Sequence, residues 1–207
     1  MCGRYVITKP ILKTRDIVKS VIVFDDIDNY NAHPQQKLPV IKSYSNGKTL
    51  EALQWGLTPN WVVKQNVKPL INARLETLKE KITFTHLIKN NRCLALADGY
   101  YEWKIKENSK VPYYFTRNDK QTLFFAAIYD HHQFAIITQP ADTQVGTIHY
   151  RQPVIIKDED IDKYFNLKIE GTNFLQFYES PNLKFYPVGK DVNKPTNNRK
   201  QLIMKLK

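Results

Sequence analysis

Apolar and β-branched residues alternate with polar ones in short runs at 4–8, 38–44, 50–55, 92–97, 112–117, 122–129, 133–138, 153–157 and 183–188. Runs of this length and period predict strands. Helical spacing is rarer. It predicts a helix opening at Asp158, acidic in its first turn, with Ile161, Tyr164 and Phe165 on one face. A second helix is expected over 172–179, stopped by Ser180-Pro181. Two more are expected over 12–20 and 75–89. There is no internal repeat and no linker long enough to divide the chain. Many short strands with a few peripheral helices predict one α+β domain over 1–207, built on a mostly antiparallel, barrel-like sheet. From about residue 190 the sequence turns polar and basic (KDVNKPTNNRKQLIMKLK). That segment is expected either to be mobile or to lie along a phosphate backbone.

Composition narrows the class. A chain of 207 residues with 42% hydrophobic and 12% aromatic residues buries a real core and is not intrinsically disordered. The longest apolar run, near Leu123 to Tyr129, is strand-sized and far short of the ~18 residues of a membrane span. Met1 leads directly into Cys2-Gly3-Arg4, without the basic and then apolar start of a secretory signal. Two cysteines, Cys2 and Cys93, are too few for a disulfide scaffold or a cysteine zinc site, and no histidine spacing suggests a metal. A soluble, cytoplasmic, monomeric protein without cofactor is expected. Lys and Arg number 31 against 20 Asp and Glu, a net charge of +11 spread along the whole sequence. A folded basic face for a polyanion is one reading, and solubility charge is the other.

Cys2 carries the most distinctive chemistry. A small second residue allows Met1 to be removed, and Cys2 would then hold an α-amine and a thiol with reference pKa values of ~8 and ~8.5. Such a 1,2-aminothiol condenses with an aldehyde to an imine, and the sulfur then closes on the same carbon to give a thiazolidine. A lysine would stop at the imine. The other use of a terminal cysteine is glutamine amide hydrolysis, with the thiolate as nucleophile and the amine as base.

Four further stretches suit a reaction site. Ile71-Asn72-Ala73-Arg74-Leu75-Glu76-Thr77 reads as a turn leading into a helix, where Asn72 can donate and accept and Arg74 can fork onto a phosphate. In Gly99-Tyr100-Tyr101-Glu102-Trp103, aromatic neighbours would desolvate Glu102 and raise its pKa. His149 and Arg151 stand two apart, on one side of an extended chain. Trp55 and Trp61 flank a turn and offer faces for unpaired bases. Each has a plainer alternative: a helix cap, a surface charge, a solvated strand glutamate, a satisfied histidine, a core indole.

Together with Cys2-Gly3-Arg4-Tyr5 and His149-Tyr150-Arg151-Gln152-Pro153-Val154, these blocks resemble the SRAP family of abasic-site processing proteins, also called SOS-response-associated peptidases. The order and spacing hold from Met1 to about Asn193. The family usually has His-Asp-Arg-Met-Pro where this chain has His149-Tyr150-Arg151-Gln152-Pro153. The resemblance implies a SRAP fold, loss of Met1, binding of single-stranded DNA and covalent capture of an abasic deoxyribose, with no cofactor. It also brings AP-lyase and autopeptidase activity into consideration. By the same resemblance Cys2 is the nucleophile, Asn72 holds the terminus and adduct, and Glu102 and His149 move protons. Arg4, Arg74 and Arg151 are implied DNA contacts, and Trp61 a stacking or wedging residue. The competing readings are a terminal-cysteine amidotransferase, whose usual His-Arg-Gly element does not occur here, and a non-covalent nucleic-acid-binding domain.

Overall fold

The computed structural model describes residues 2–22, 26, 28–59, 68–107 and 109–206. Fourteen strands are present among them: β1 (Tyr5–Ile7), β2 (Ser20–Val21), β3 (Asn29–Ala32), β4 (Lys37–Tyr44), β5 (Gly47–Trp55), β6 (Asn72–Arg74), β7 (Arg92–Ala97), β8 (Gly99–Lys106), β9 (Ser109–Arg117), β10 (Leu123–Asp130), β11 (Gln133–Pro140), β12 (Arg151–Pro153), β13 (Ile155–Ile156) and β14 (Leu183–Pro187). Four short helices accompany them: α1 (Pro10–Thr14), α2 (Ile82–Asn90), α3 (Ile161–Phe165) and α4 (Gly171–Leu175). The fold is α+β and mostly antiparallel, as the pattern predicts.

The larger sheet runs β12-β11-β10-β7-β4-β5-β2, and a parallel pairing of β5 with β11 closes β11, β10, β7, β4 and β5 into a ring. Phe134 opposite Trp55 marks that closure. This ring is the expected barrel. β7 and β10 are buried along most of their length because α2 and α3 cover their outer side, which explains why these two segments, expected to alternate, are apolar almost throughout. Arg92, buried at the start of β7, donates to four carbonyls of the covering segments: Ile88 at 2.7 Å, Tyr164 at 2.9 Å, Asn166 at 3.3 Å and Ile169 at 2.7 Å.

The smaller sheet runs β14-β9-β8-β1-β3. Its inner face packs on the barrel through Tyr5, whose ring lies 5.1 Å from Trp55 and 5.8 Å from Phe125. Tyr100 sits opposite Tyr5 and stacks on Phe115 at 4.8 Å. β8 needs glycine at its start, since a Cβ on Gly99 would lie 2.3 Å from the Phe115 carbonyl oxygen. The outer face carries a second core of Val6, Tyr101, Tyr114, Val188, Val192 and Leu202.

That second core accounts for the segment beyond residue 190, which composition presents as a polar tail. Val192 and Leu202 are buried against the outer face, Tyr186 donates to the Ile203 carbonyl at 2.9 Å, and Val188 bridges Lys205. Two apolar side chains in a basic sequence are enough to seat it, because strands β1, β8 and β9 leave an apolar face to cover.

The helix expectations need shortening. The 12–20 helix is α1 at Pro10–Thr14, and Ser20–Val21 is strand. The 75–89 helix is a 3-10 turn at Leu75–Thr77 followed by α2, separated by an extended Lys81 with ψ of 115°. The helix at Asp158 begins as a 3-10 turn before α3. Among the described residues no helix is long and apolar enough to cross a membrane.

Candidate active site

Cys2 lies just before β1 and is fully buried. Its carbonyl accepts a 3.0 Å hydrogen bond from the Asn72 side-chain amide. Asn72 is in a strand, not the turn expected from sequence: β6 pairs parallel with β11, Asn72 opposite Ile136 and Arg74 opposite Thr138. The pairing explains the placement, because β11 already closes the barrel and has an edge to offer. Asn72 Oδ1 is buried and has no hydrogen-bond partner among the described residues. An acceptor left bare beside the Cys2 backbone is a costly feature unless something occupies it.

Glu102 comes from β8 on the same face as Tyr100, since side chains two apart share a face. It therefore points toward the barrel rather than to water. Burial pushes its carboxyl above its ordinary value, and the positive charges of the chain's terminal amine and then of His149 oppose the shift. The Cys2 thiol is raised strongly, first by burial and then by the charge of Glu102. Sulfur here is a neutral S–H in the resting state.

His149 follows a 3-10 turn at Val145–Thr147 and is held through its own N–H to the Val145 carbonyl at 3.1 Å. Its Nε2 is 3.8 Å from Glu102 Oε2. Its Nδ1 is 3.1 Å from both the N–H and the carbonyl of Arg151. A neutral ring can accept at Nδ1 and turn Nε2–H toward Glu102, and a protonated ring can donate from Nδ1 to the carbonyl. The backbone of Arg151 thus serves both protonation states. A cleft of about 330 Å³ opens beside these groups, lined by Glu102, Trp103, Ile105, Lys110 and His149.

Cys2, Asn72, Glu102 and His149 are therefore brought into one site from four separate parts of the chain. The expected DNA contacts divide. Arg74 is exposed. Arg151 is buried, its guanidinium forked onto both oxygens of Glu76 and bonded to the Thr138 carbonyl at 2.7 Å and hydroxyl at 3.1 Å. It is spent inside the protein and is not available to a phosphate. Arg4 is half-buried and donates from one Nη to Asn31 and to the Val192 carbonyl, both at 2.8 Å, so it ties the C-terminal segment to β3. Trp55 is a core residue whose indole donates to the Ile71 carbonyl at 2.9 Å. Trp61 lies outside the described residues.

Sequence reasoning missed Glu76 and Thr138, which hold Arg151 and through it the backbone beneath His149. Glu76 stands inside the Asn72–Thr77 motif, but its partner is 75 residues away. Among the described residues no group of three or more His, Cys, Asp or Glu side chains is placed to hold a metal ion.

The model of the SOS response associated peptidase (SRAP) family matches residues 1–195. The chain belongs to the SRAP family. It is 30% identical to the abasic site processing protein YoqW of Bacillus subtilis over 221 residues, covering 98% of this chain and 99% of that protein. It is 28% identical to the abasic site processing protein YedK of Escherichia coli, with 98% and 99% covered. The chicken abasic site processing protein HMCES is 29% identical over 85% of this chain and 66% of its own length. The SRAP chain also shares its fold with a crystallised protein from Bacteroides thetaiotaomicron, with a TM-score of 0.82, 24% identity, and 99% and 100% covered.

Proposed function

We propose that this SRAP protein processes abasic sites in single-stranded DNA by capturing the opened sugar covalently on Cys2 after Met1 is removed. The observation that carries the proposal is the meeting of Cys2 with Asn72, Glu102 and His149 in one buried site. The names of the relatives, each an abasic site processing protein, support it.

The order of steps follows from the chemistry of an aminothiol and an aldehyde. An abasic deoxyribose is mostly a closed hemiacetal, and ring opening needs a proton on the ring oxygen and a base for the anomeric hydroxyl. His149 and Glu102, 3.8 Å apart, divide that work. The Cys2 amine then adds to the aldehyde carbon and water leaves, giving an imine. Asn72 Oδ1, bare in the present state, accepts from the amine and orients it. Sulfur acts second, because closure needs the imine: S–H adds across the C=N bond, sulfur to carbon and proton to nitrogen, and the thiazolidine forms. Closure removes the imine before it can promote β-elimination and strand cleavage. Bound DNA presents the carbon to the amine as a positioned neighbour rather than a chance encounter.

The test is incubation of the full chain with single-stranded DNA carrying one abasic site, followed by denaturing electrophoresis and intact mass. A denaturation-resistant adduct on a chain lacking Met1 is expected. No adduct, or an adduct on a chain that keeps Met1, overturns the mechanism.

A further inference from the structure

Tyr150 is unaccounted for by the site as described. Its ring is 66% exposed although both neighbours turn inward, and it stacks on the His149 imidazole with centroids 4.6 Å apart and planes 29° apart. The stack is built rather than incidental. The Tyr150 carbonyl accepts from Ala141 N–H at 3.0 Å, the His149 N–H is bound to Val145, and Arg151 is locked by Glu76 and Thr138. The imidazole thus supports the phenol ring from one side, and most of the residue is left to solvent. The cleft that His149 lines beneath this ring is also lined, from the β8–β9 hairpin, by Ile105, 72% exposed, and by the cation Lys110.

An exposed aromatic ring, supported from one side and next to a cleft that holds a cation, matches what an unpaired nucleobase requires: a π surface for the base and a charge for its phosphate. We propose that Tyr150 is a stacking subsite for the nucleobase adjacent to the abasic sugar. Base, Tyr150 and His149 form a three-layer stack, and Ile105 and Lys110 line the cleft beside it. The inference rests on the abasic-site reading above. It goes further in assigning a neighbouring-base contact, and hence a dependence on the flanking base, to a residue outside the reacting groups.

The test separates this claim from the capture chemistry by using a stable tetrahydrofuran abasic analogue, which cannot form an imine. Oligonucleotides carry 2-aminopurine on one side or the other of the analogue, or a second tetrahydrofuran in place of the flanking base. Quenching of 2-aminopurine on one side by the wild-type chain and by Tyr150→Phe or Tyr150→Trp is expected, with loss in Tyr150→Ala. Removing the flanking base should weaken wild-type binding about 5- to 20-fold, and Tyr150→Ala binding hardly at all, as a double-mutant cycle for one contact requires. Equal weakening in both proteins, or equal quenching by wild type and Tyr150→Ala, overturns the subsite and leaves the capture chemistry standing. If the wild-type chain does not bind the analogue DNA at all, the abasic-site reading itself falls, and this inference with it.

Discussion

Glu102 Oε2 and His149 Nε2 stand 3.8 Å apart at the mouth of a buried site, one from a strand of the smaller sheet and the other from the turn leading into the larger. The separation is a charge contact rather than a direct hydrogen bond. It leaves room for both groups to exchange protons with a third. Burial raises the Glu102 carboxyl above its ordinary value, and nearby positive charge opposes the shift.

Replacing Cys2 removes the thiol but leaves an amine. Cys2→Ala is expected to lose the denaturation-resistant adduct to abasic DNA, at least 100-fold in yield. It should retain an imine that borohydride traps and should nick the strand by β-elimination. Gels run with and without borohydride read both outcomes, and an undiminished stable adduct would mean that sulfur takes no part.

Burial of Glu102 carries a stability cost that depends on pH. Its folded pKa is above that of the unfolded chain, so the folded state holds the proton more tightly. The stabilisation is complete below the unfolded value of about 4.3 and is lost as pH rises through the folded value. Glu102→Gln, neutral at all pH, is expected to melt a few degrees higher than wild type at pH 7.5, about 2–4 °C per kcal/mol for a chain of this size. The gap should close near pH 4. The same variant should slow adduct formation at least 10-fold while binding undamaged single-stranded DNA normally. Thermal melts at the two pH values and single-turnover capture check the two halves separately.

Arg74 and Arg151 should respond in opposite ways. Arg74→Ala, at an exposed position, is expected to leave the melting temperature unchanged and to lower the salt slope of single-stranded DNA binding by about 0.7, the value for one phosphate. Arg151→Ala leaves the Thr138 carbonyl without its donor and is expected to cost about 2 kcal/mol of stability with no change in salt slope. Urea melts and titrations at several salt concentrations distinguish them.

The C-terminal segment should behave as part of the core. Leu202→Ala is expected to destabilise the chain by about 2–4 kcal/mol, in the range for a buried leucine. A midpoint in urea equal to that of wild type would show that the segment contributes nothing to the fold.

The alternating runs determined most of the strands and the antiparallel character of the sheets, because a half-buried strand must write its period into its own residues. Cys2, Glu102 and His149 stood out as candidates for a similar reason: side-chain type and immediate neighbours are local properties. Only tertiary structure could decide which arginine faces solvent. Arg74 and Arg151 look alike in sequence, yet Arg151 meets Glu76 from 75 residues away and is consumed by it. Asn72 was read as part of a turn, because three residues are too short to show a period, and only the free edge of β11 makes them a strand. The basic segment after 190 looked like a tail because its two anchoring side chains, Val192 and Leu202, find their partners only on the outer face of a sheet formed by distant strands. Burial and pairing are properties of the assembled chain: each residue carries half of a contact, and folding supplies the other half.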